Sequence, residues 1–162
     1  MHHLIDELDI NILELLQKNS RIKRNVIADN VGLSIPSVTD RLKRLENNGI
    51  IETYITKLDH KKLGHDITAF IIVISESSKH YGEFIEKVKQ TQEILECHSI
   101  TGDGSHMLKI RTSNTSTLEK LLSKIQLWKG VRSTKTSIVL SAIKEGFYLN
   151  LKDLPPGELT HH

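Results

Sequence analysis

Six consecutive residues, Thr101, Gly102, Asp103, Gly104, Ser105 and His106, gather an acid, two hydroxyls, an imidazole and two glycines, and Cys97-His98 stands just before them. Such a set could hold a small ligand, because glycine lets a backbone amide approach a bound group closely while the polar side chains fix its orientation. A thiol beside an imidazole also raises nucleophilic catalysis or a metal site. A strand expected over Ile94 to Thr101 argues against both: successive side chains of a strand point to opposite faces, so Cys97 and His98 diverge. No residue is therefore assigned to catalysis or to a metal, and Cys97 reads as a small buried residue. The plainest role for the glycine pair is a turn leading into a second strand at Met107 to Thr112.

A different chemistry is written between Gln17 and Asn48. This stretch holds seven basic residues (Lys18, Arg21, Lys23, Arg24, Arg41, Lys43, Arg44) against three acids (Asp29, Asp40, Glu46), although the whole chain carries a net charge of only +2. Concentrated positive charge on a helical face suits the phosphates of nucleic acid. Arg21, Lys23, Arg24 and Arg44 are the candidates for phosphate. Ser37, Thr39, Asp40 and Lys43, on the outer arc of a helix that Ser34 begins, are the candidates for base edges or the groove. Asp40 could accept from a cytosine amino group, or it could pair with Lys43 or Arg44. A solvated helical face rich in Lys and Arg is the alternative.

These residues need elements to position them. Ile5, Leu8, Ile12, Leu15 and Leu16 recur at helical spacing behind Asp6, Glu7 and Asp9, acids favoured at a helix start. A short helix over Arg24 to Asn30 ends at Gly32. Ser34 caps a third, Pro36 fits its first turn, and Val38, Leu42 and Leu45 form its buried stripe before Asn47, Asn48 and Gly49 stop it. Two helices around a glycine turn, at about residues 24–43, make a helix-turn-helix whose second helix enters the major groove. The following "GIIETYITKL" is expected to form a small wing hairpin or strand.

Tyr54 to Asp66 reads as a connector. Beyond it, "ITAFIIVIS" predicts a strand, Tyr81, Phe84, Ile85 and Val88 a helix, Leu118, Leu121, Leu122 and Ile125 a second helix, and Lys135 to Ile143 a last strand. Trp128 and Lys129 are read as a surface cover and a helix exit. The order is β-α-β-β-α-β, a ferredoxin-like sheet with both helices on one face. The expected class is α+β, with an amino-terminal winged helix-turn-helix domain (1–54), a linker (55–66), a ferredoxin-like domain (67–150) and a carboxy-terminal tail (151–162). The bare sheet face of so apolar a domain predicts a homodimer, which also suits a roughly palindromic promoter in double-stranded DNA.

Composition sets wider limits. A chain of 162 residues, 38% hydrophobic, can bury a core. Its single cysteine, and the lack of a long apolar run, predict a cytoplasmic protein with no membrane partner. The pairs His2-His3 and His161-His162 are set aside from metal reasoning.

The amino-terminal stretch resembles the Lrp/AsnC family of transcriptional regulators. The matching pieces are Asp6 and Asp9 ahead of Ile12-Leu13, Arg21-Ile22, Val31-Gly32-Leu33-Ser34, Arg41, Arg44-Leu45-Glu46 and Gly49-Ile50-Ile51. The likeness continues in Glu96-Cys97, in Thr101-Gly102-Asp103 and in Thr134 and Thr136 of the last strand. It implies a prokaryotic, DNA-associated, sequence-specific regulator whose second domain, of the RAM type, dimerises through its sheet and assembles further to tetramers or octamers. It also implies an amino-acid or other small-molecule effector beside residues 101–106, Thr134 and Thr136, with no cofactor required. Gly104, Ser105 and His106 stand where the family has an aromatic, an aspartate and an aromatic, which points to an altered effector or to none. The alternatives are an architectural DNA-binding protein without an effector, and a metabolite-binding ferredoxin-like protein that does not act on DNA.

Overall fold

The computed structural model describes residues 4–152 and 157–158, so the terminal histidine pairs and part of the expected tail lie outside the described residues. The backbone forms two units, one of residues 1–57 with 145–162 and one of residues 58–144.

In the first unit, α1 (Glu7–Lys18) starts at a capping box in which Asp6 accepts from the Asp9 amide and Asp9 accepts from the Asp6 amide. α2 (Arg24–Val31) ends at Gly32, whose φ of 69° is the left-handed conformation that glycine adopts without strain. α3 (Ile35–Asn47) begins at Ser34, which accepts from the Ser37 amide. The three helices close over Ile12, Ile27, Ala28, Val38 and Leu42. Burying each larger aliphatic among them contributes roughly 1.5–3 kcal/mol.

One expectation for this unit is corrected. No wing hairpin forms: residues 52–58 lie in no strand. The chain leaves α3 with the Ile50 and Ile51 amides both donating to the Leu45 carbonyl, and the Tyr54 hydroxyl donates to Glu46 at 2.7 Å. A hairpin needs a returning strand, and the next residues instead turn at His60 to His65. By backbone packing, the stretch from Glu145 groups with the helical unit. β1 (Leu4–Ile5) pairs antiparallel with β6 (Gly157–Glu158), and the Gln17 amide clasps the Leu149 backbone in both directions, at 3.1 and 2.7 Å.

The second unit is an antiparallel sheet of β2 (Ile67–Ser75), β3 (Ile94–Ser99), β4 (His106–Thr112) and β5 (Val131–Ile138) in the order β3-β4-β2-β5. A short 3-10 turn (Ser78–His80) leads into α4 (Tyr81–Gln90), and α5 (Thr115–Gln126) precedes β5. The core lies between sheet and helices. Ala69, Ile71 and Val73 of β2 and Leu108 and Ile110 of β4 are fully buried against Phe84, Val88, Leu121 and Ile125. β2 alternates in burial, so Phe70, Ile72 and Ile74 on its other face are only partly covered. β5 stops before the expected Ile143 because β2, its ladder partner, begins at Ile67; the last bond runs from the Val139 amide to Thr68. Trp128 is no surface cover: it is 5% exposed, edge-on to Phe84 at 5.7 Å. No helix among the described residues is long and apolar enough to cross a membrane.

Candidate nucleic-acid interface and effector loop

The six basic residues from Arg21 to Arg44 divide into two sets. Asp9 belongs to α1's inward stripe, three residues before Ile12, and its side chain has no exposed surface. A carboxylate so placed must be paired. Arg41 Nη1 donates to it at 2.8 Å and to Asp6 at 2.7 Å, and Arg44 Nη2 donates to it at 2.6 Å. Burial would raise the Asp6 carboxyl, but the hydrogen bonds from Arg41 and the Asp9 amide outweigh it and hold the group below its ordinary value. The same two acids raise the Arg41 guanidinium. Arg44, expected at phosphate, is thus tied to α1, and Asp40 pairs with neither Lys43 nor Arg44.

Arg21, Lys23, Arg24 and Lys43 form the second set. All four are exposed and none has an ion pair among the described residues. Arg21 and Lys23 lie between α1 and α2, Arg24 opens α2, and Lys43 lies on α3. Asp40, one turn before Lys43, is also exposed. Ser34 and Ser37 spend their hydroxyls on each other at 2.8 Å, and Thr39 donates to the Ile35 carbonyl one turn back at 2.9 Å. Only Lys43 and Asp40 of the four groove candidates therefore present side chains without a local hydrogen bond. Sequence reasoning missed the role of Asp9, although an acid on an apolar helical stripe, with arginines spaced three apart further on, carried the signal.

The effector-loop residues do not converge within one subunit. Thr101, Gly102 and Asp103 are exposed, and Asp103 lies 3.9 Å from Lys135. Thr134 accepts from Gln126 of α5 at 3.2 Å, and Thr136 is exposed. Gly104 packs its backbone against β2, where a Cβ would come within 2.3 Å of Ile72 Cγ2. The loop closes through the Ile100 amide to Ser105 O and the Ser105 amide to Val73 O. Ser105 also bonds Ser75 Oγ at 2.7 Å, and His106 is buried beneath Phe84, ring centroids 4.7 Å apart. Burial holds the His106 imidazole below its ordinary pKa.

Cys97 and His98 do diverge. Cys97 packs half-buried against the core, where burial pushes its thiol up, while His98 contacts Glu96 at 3.2 Å on the other face. Among the described residues no group of three or more His, Cys, Asp or Glu could hold a metal ion.

Comparison with known proteins places both units. Residues 5–52 match the winged helix-turn-helix DNA-binding family, and residues 68–149 match the Lrp/AsnC ligand binding domain. The HTH-type transcriptional regulator FL11 of Pyrococcus furiosus is 34% identical over 152 residues, covering 94% of this chain and all of that protein. The leucine-responsive regulatory protein of Escherichia coli is 33% identical over 151 residues, 91% of this chain and 92% of that one. Among solved structures, a Neisseria meningitidis transcriptional regulator in complex with L-Met superposes with a TM-score of 0.89 at 29% identity, over 93% of this chain and 99% of that chain. Escherichia coli AsnC gives 0.84 at 31% identity, over 90% and 99%.

Proposed function

Because the chain belongs to the Lrp/AsnC family and is a DNA-binding transcriptional regulator, we propose that it reads promoter DNA chiefly through Lys43 and Asp40 of α3, with Arg21, Lys23 and Arg24 on flanking phosphates. The observation that carries this reading is the division of its basic residues. Asp6 and Asp9 engage Arg41 and Arg44, whereas Arg21, Lys23, Arg24 and Lys43 are exposed without ion pairs among the described residues. Unneutralised charge on the α2–α3 side of one unit is what a polyanion attracts. Ser34, Ser37 and Thr39 shape the start of α3, and Arg44 orients it.

The relatives are named regulators, and this chain is likewise no enzyme. We further infer a homodimer formed through the open sheet face that carries Phe70, Ile72 and Ile74, half-buried in the single chain, in keeping with a cytoplasmic regulator. Higher assembly to tetramers or octamers follows the family resemblance. An amino-acid effector beside Thr101, Gly102, Asp103 and Gly104 is supported by the L-Met complex of the Neisseria relative. Thr134 and Thr136 flank Lys135 of β5, which lies 3.9 Å from Asp103.

The test is an electrophoretic mobility shift with the DNA upstream of the gene, repeated at rising salt. A shift at submicromolar dimer that weakens steeply with salt is expected. No salt-sensitive shift at micromolar dimer overturns the DNA-reading assignment. Thermal-shift screening of the twenty amino acids tests the effector separately.

A further inference from the structure

On the helical side of the sheet, a cavity of about 280 Å3 lies between the end of β2, the start of α4 and the start of β4, with Ser75, Tyr81, Phe84, Ser105, His106 and Lys129 in its walls. About nine water volumes fit in that space, enough for a small metabolite. His106 is 5% exposed, and its Nε2, out of contact with solvent, has no hydrogen-bond partner. An orphaned polar atom this deep is rare and costly.

The proton on this imidazole can be placed from its neighbours. Ser105 Oγ contacts the Val73 carbonyl at 3.1 Å, Ser75 Oγ at 2.7 Å and His106 Nδ1 at 3.0 Å. A hydroxyl has one proton and a carbonyl only accepts, so Ser105 donates to Val73. To satisfy the other two contacts, Ser75 and His106 Nδ1 must both donate to Ser105. Nδ1 then carries the proton, and Nε2 of the neutral ring is an acceptor.

An acceptor fixed in this way asks for an O–H or N–H donor. The ring faces of Tyr81 and Phe84, 5.5 and 4.7 Å from the imidazole, suit a compact carbon skeleton. The walls carry no carboxylate, so an ammonium would be desolvated against neutral acceptors alone. Their one fixed charge is Lys129, largely exposed at the mouth; Glu83 lies 3.9 Å from it outside the lining and is nearer Lys87, at 3.4 Å. We propose that this cavity is a ligand site built within a single subunit, distinct from the outward-facing Asp103, and that it takes a small hydroxylated carboxylate. Because Nε2 has no accessible surface in the free chain, binding turns the His106 ring toward the cavity; the ligand hydroxyl then donates to Nε2, the skeleton lies on Tyr81 and Phe84, and the carboxylate turns to Lys129.

Three probes of one skeleton separate the possibilities: 2-hydroxy-4-methylpentanoate, leucine, and 4-methylpentanoate, which lacks the donor. Calorimetry on the full chain without DNA is expected to show the hydroxy acid binding at least about tenfold more tightly than either of the others, the scale of one buried hydrogen bond. With 15N-histidine labelling of the native protein, the Nε2 resonance of His106 should move on adding the hydroxy acid while Nδ1 stays protonated. His106→Phe, which keeps an aromatic ring over Phe84, should lose that preference. Equal binding of all three probes, an unmoved Nε2, or no binding of the hydroxy acid at millimolar concentration overturns the proposal. Leucine binding that is strong and unaffected by His106→Phe also overturns it, and leaves the effector loop as the amino-acid site.

Discussion

Asp9 on α1 and Arg41 on α3 meet at 2.8 Å with the acid wholly buried, and this pair ties the two helices together. Removing the guanidinium leaves the buried carboxylate with Arg44 as its one arginine. Arg41→Ala should therefore cost about 1–3 kcal/mol, while Asp9→Asn, which keeps a hydrogen-bonding group of the same size, should cost less. Urea unfolding of the two variants checks the order. If both lie within about 0.5 kcal/mol of wild type, the pair does not hold the helices.

Lys43 and Arg44 are neighbours with opposite expected fates. Lys43→Ala should leave stability unchanged, weaken binding on every DNA sequence, and flatten the plot of log affinity against log salt by about one unit. Arg44→Ala should lower the melting temperature as well, since Arg44 pairs with Asp9. Fluorescence anisotropy at several salt concentrations, run beside thermal melts, separates the two. Unchanged affinity and slope would remove Lys43 from the interface.

His106 gives the sheet unit a pH dependence. Burial lowers its pKa in the folded protein, so folding favours the neutral ring. That contribution is complete above the unfolded value of about 6.5 and is lost as pH falls through the lower folded value. Stability should decline as pH falls below about 6.5, and His106→Phe should flatten the decline. Equal slopes in the two proteins would show that the ring does not report its burial.

Gly104 has no room for a methyl group. A Cβ would meet Ile72 Cγ2 at 2.3 Å and the Val73 carbonyl at 3.1 Å. Gly104→Ala should destabilise by about 1–3 kcal/mol, the usual cost of overpacking. The loss should shrink in an Ile72→Ala background, a coupling that a double-mutant cycle measures.

Tyr54 replaces the missing wing as the fastening of the chain beyond α3. Burial, then its hydrogen bond to Glu46, pushes its phenol up to about 12. Ultraviolet titration should show one tyrosine ionising late, and Tyr54→Phe should abolish that late step. A full complement of tyrosines titrating near the usual value of about 10 would contradict the contact.

Features decided by neighbours in the chain were legible from the residues alone. The stripe of Val38, Leu42 and Leu45, the cap at Ser34 and the left-handed Gly32 each follow from local chemistry, and all were placed correctly. What escaped depends on distant chain segments. Asp9 looked like an acid at a helix start, because its arginines lie more than thirty residues away. Trp128 looked like a cover until Phe84 packed on it. The wing had the right alternation but no strand to answer it. The cavity is assembled from three separate stretches of the second unit, and only the hydrogen bonds of Ser105 reveal which nitrogen of His106 it offers.

The pairing of Leu4–Ile5 with Gly157–Glu158 makes the helical unit discontinuous in sequence. A chain made from its amino end releases the three helices first and their closing strand near the last. Domains tend to fold as units during synthesis. Here the strand that finishes the helical unit comes after every residue of the sheet unit. A chain cut before residue 157 keeps the three helices and their core but loses the strand that clasps Leu4–Ile5.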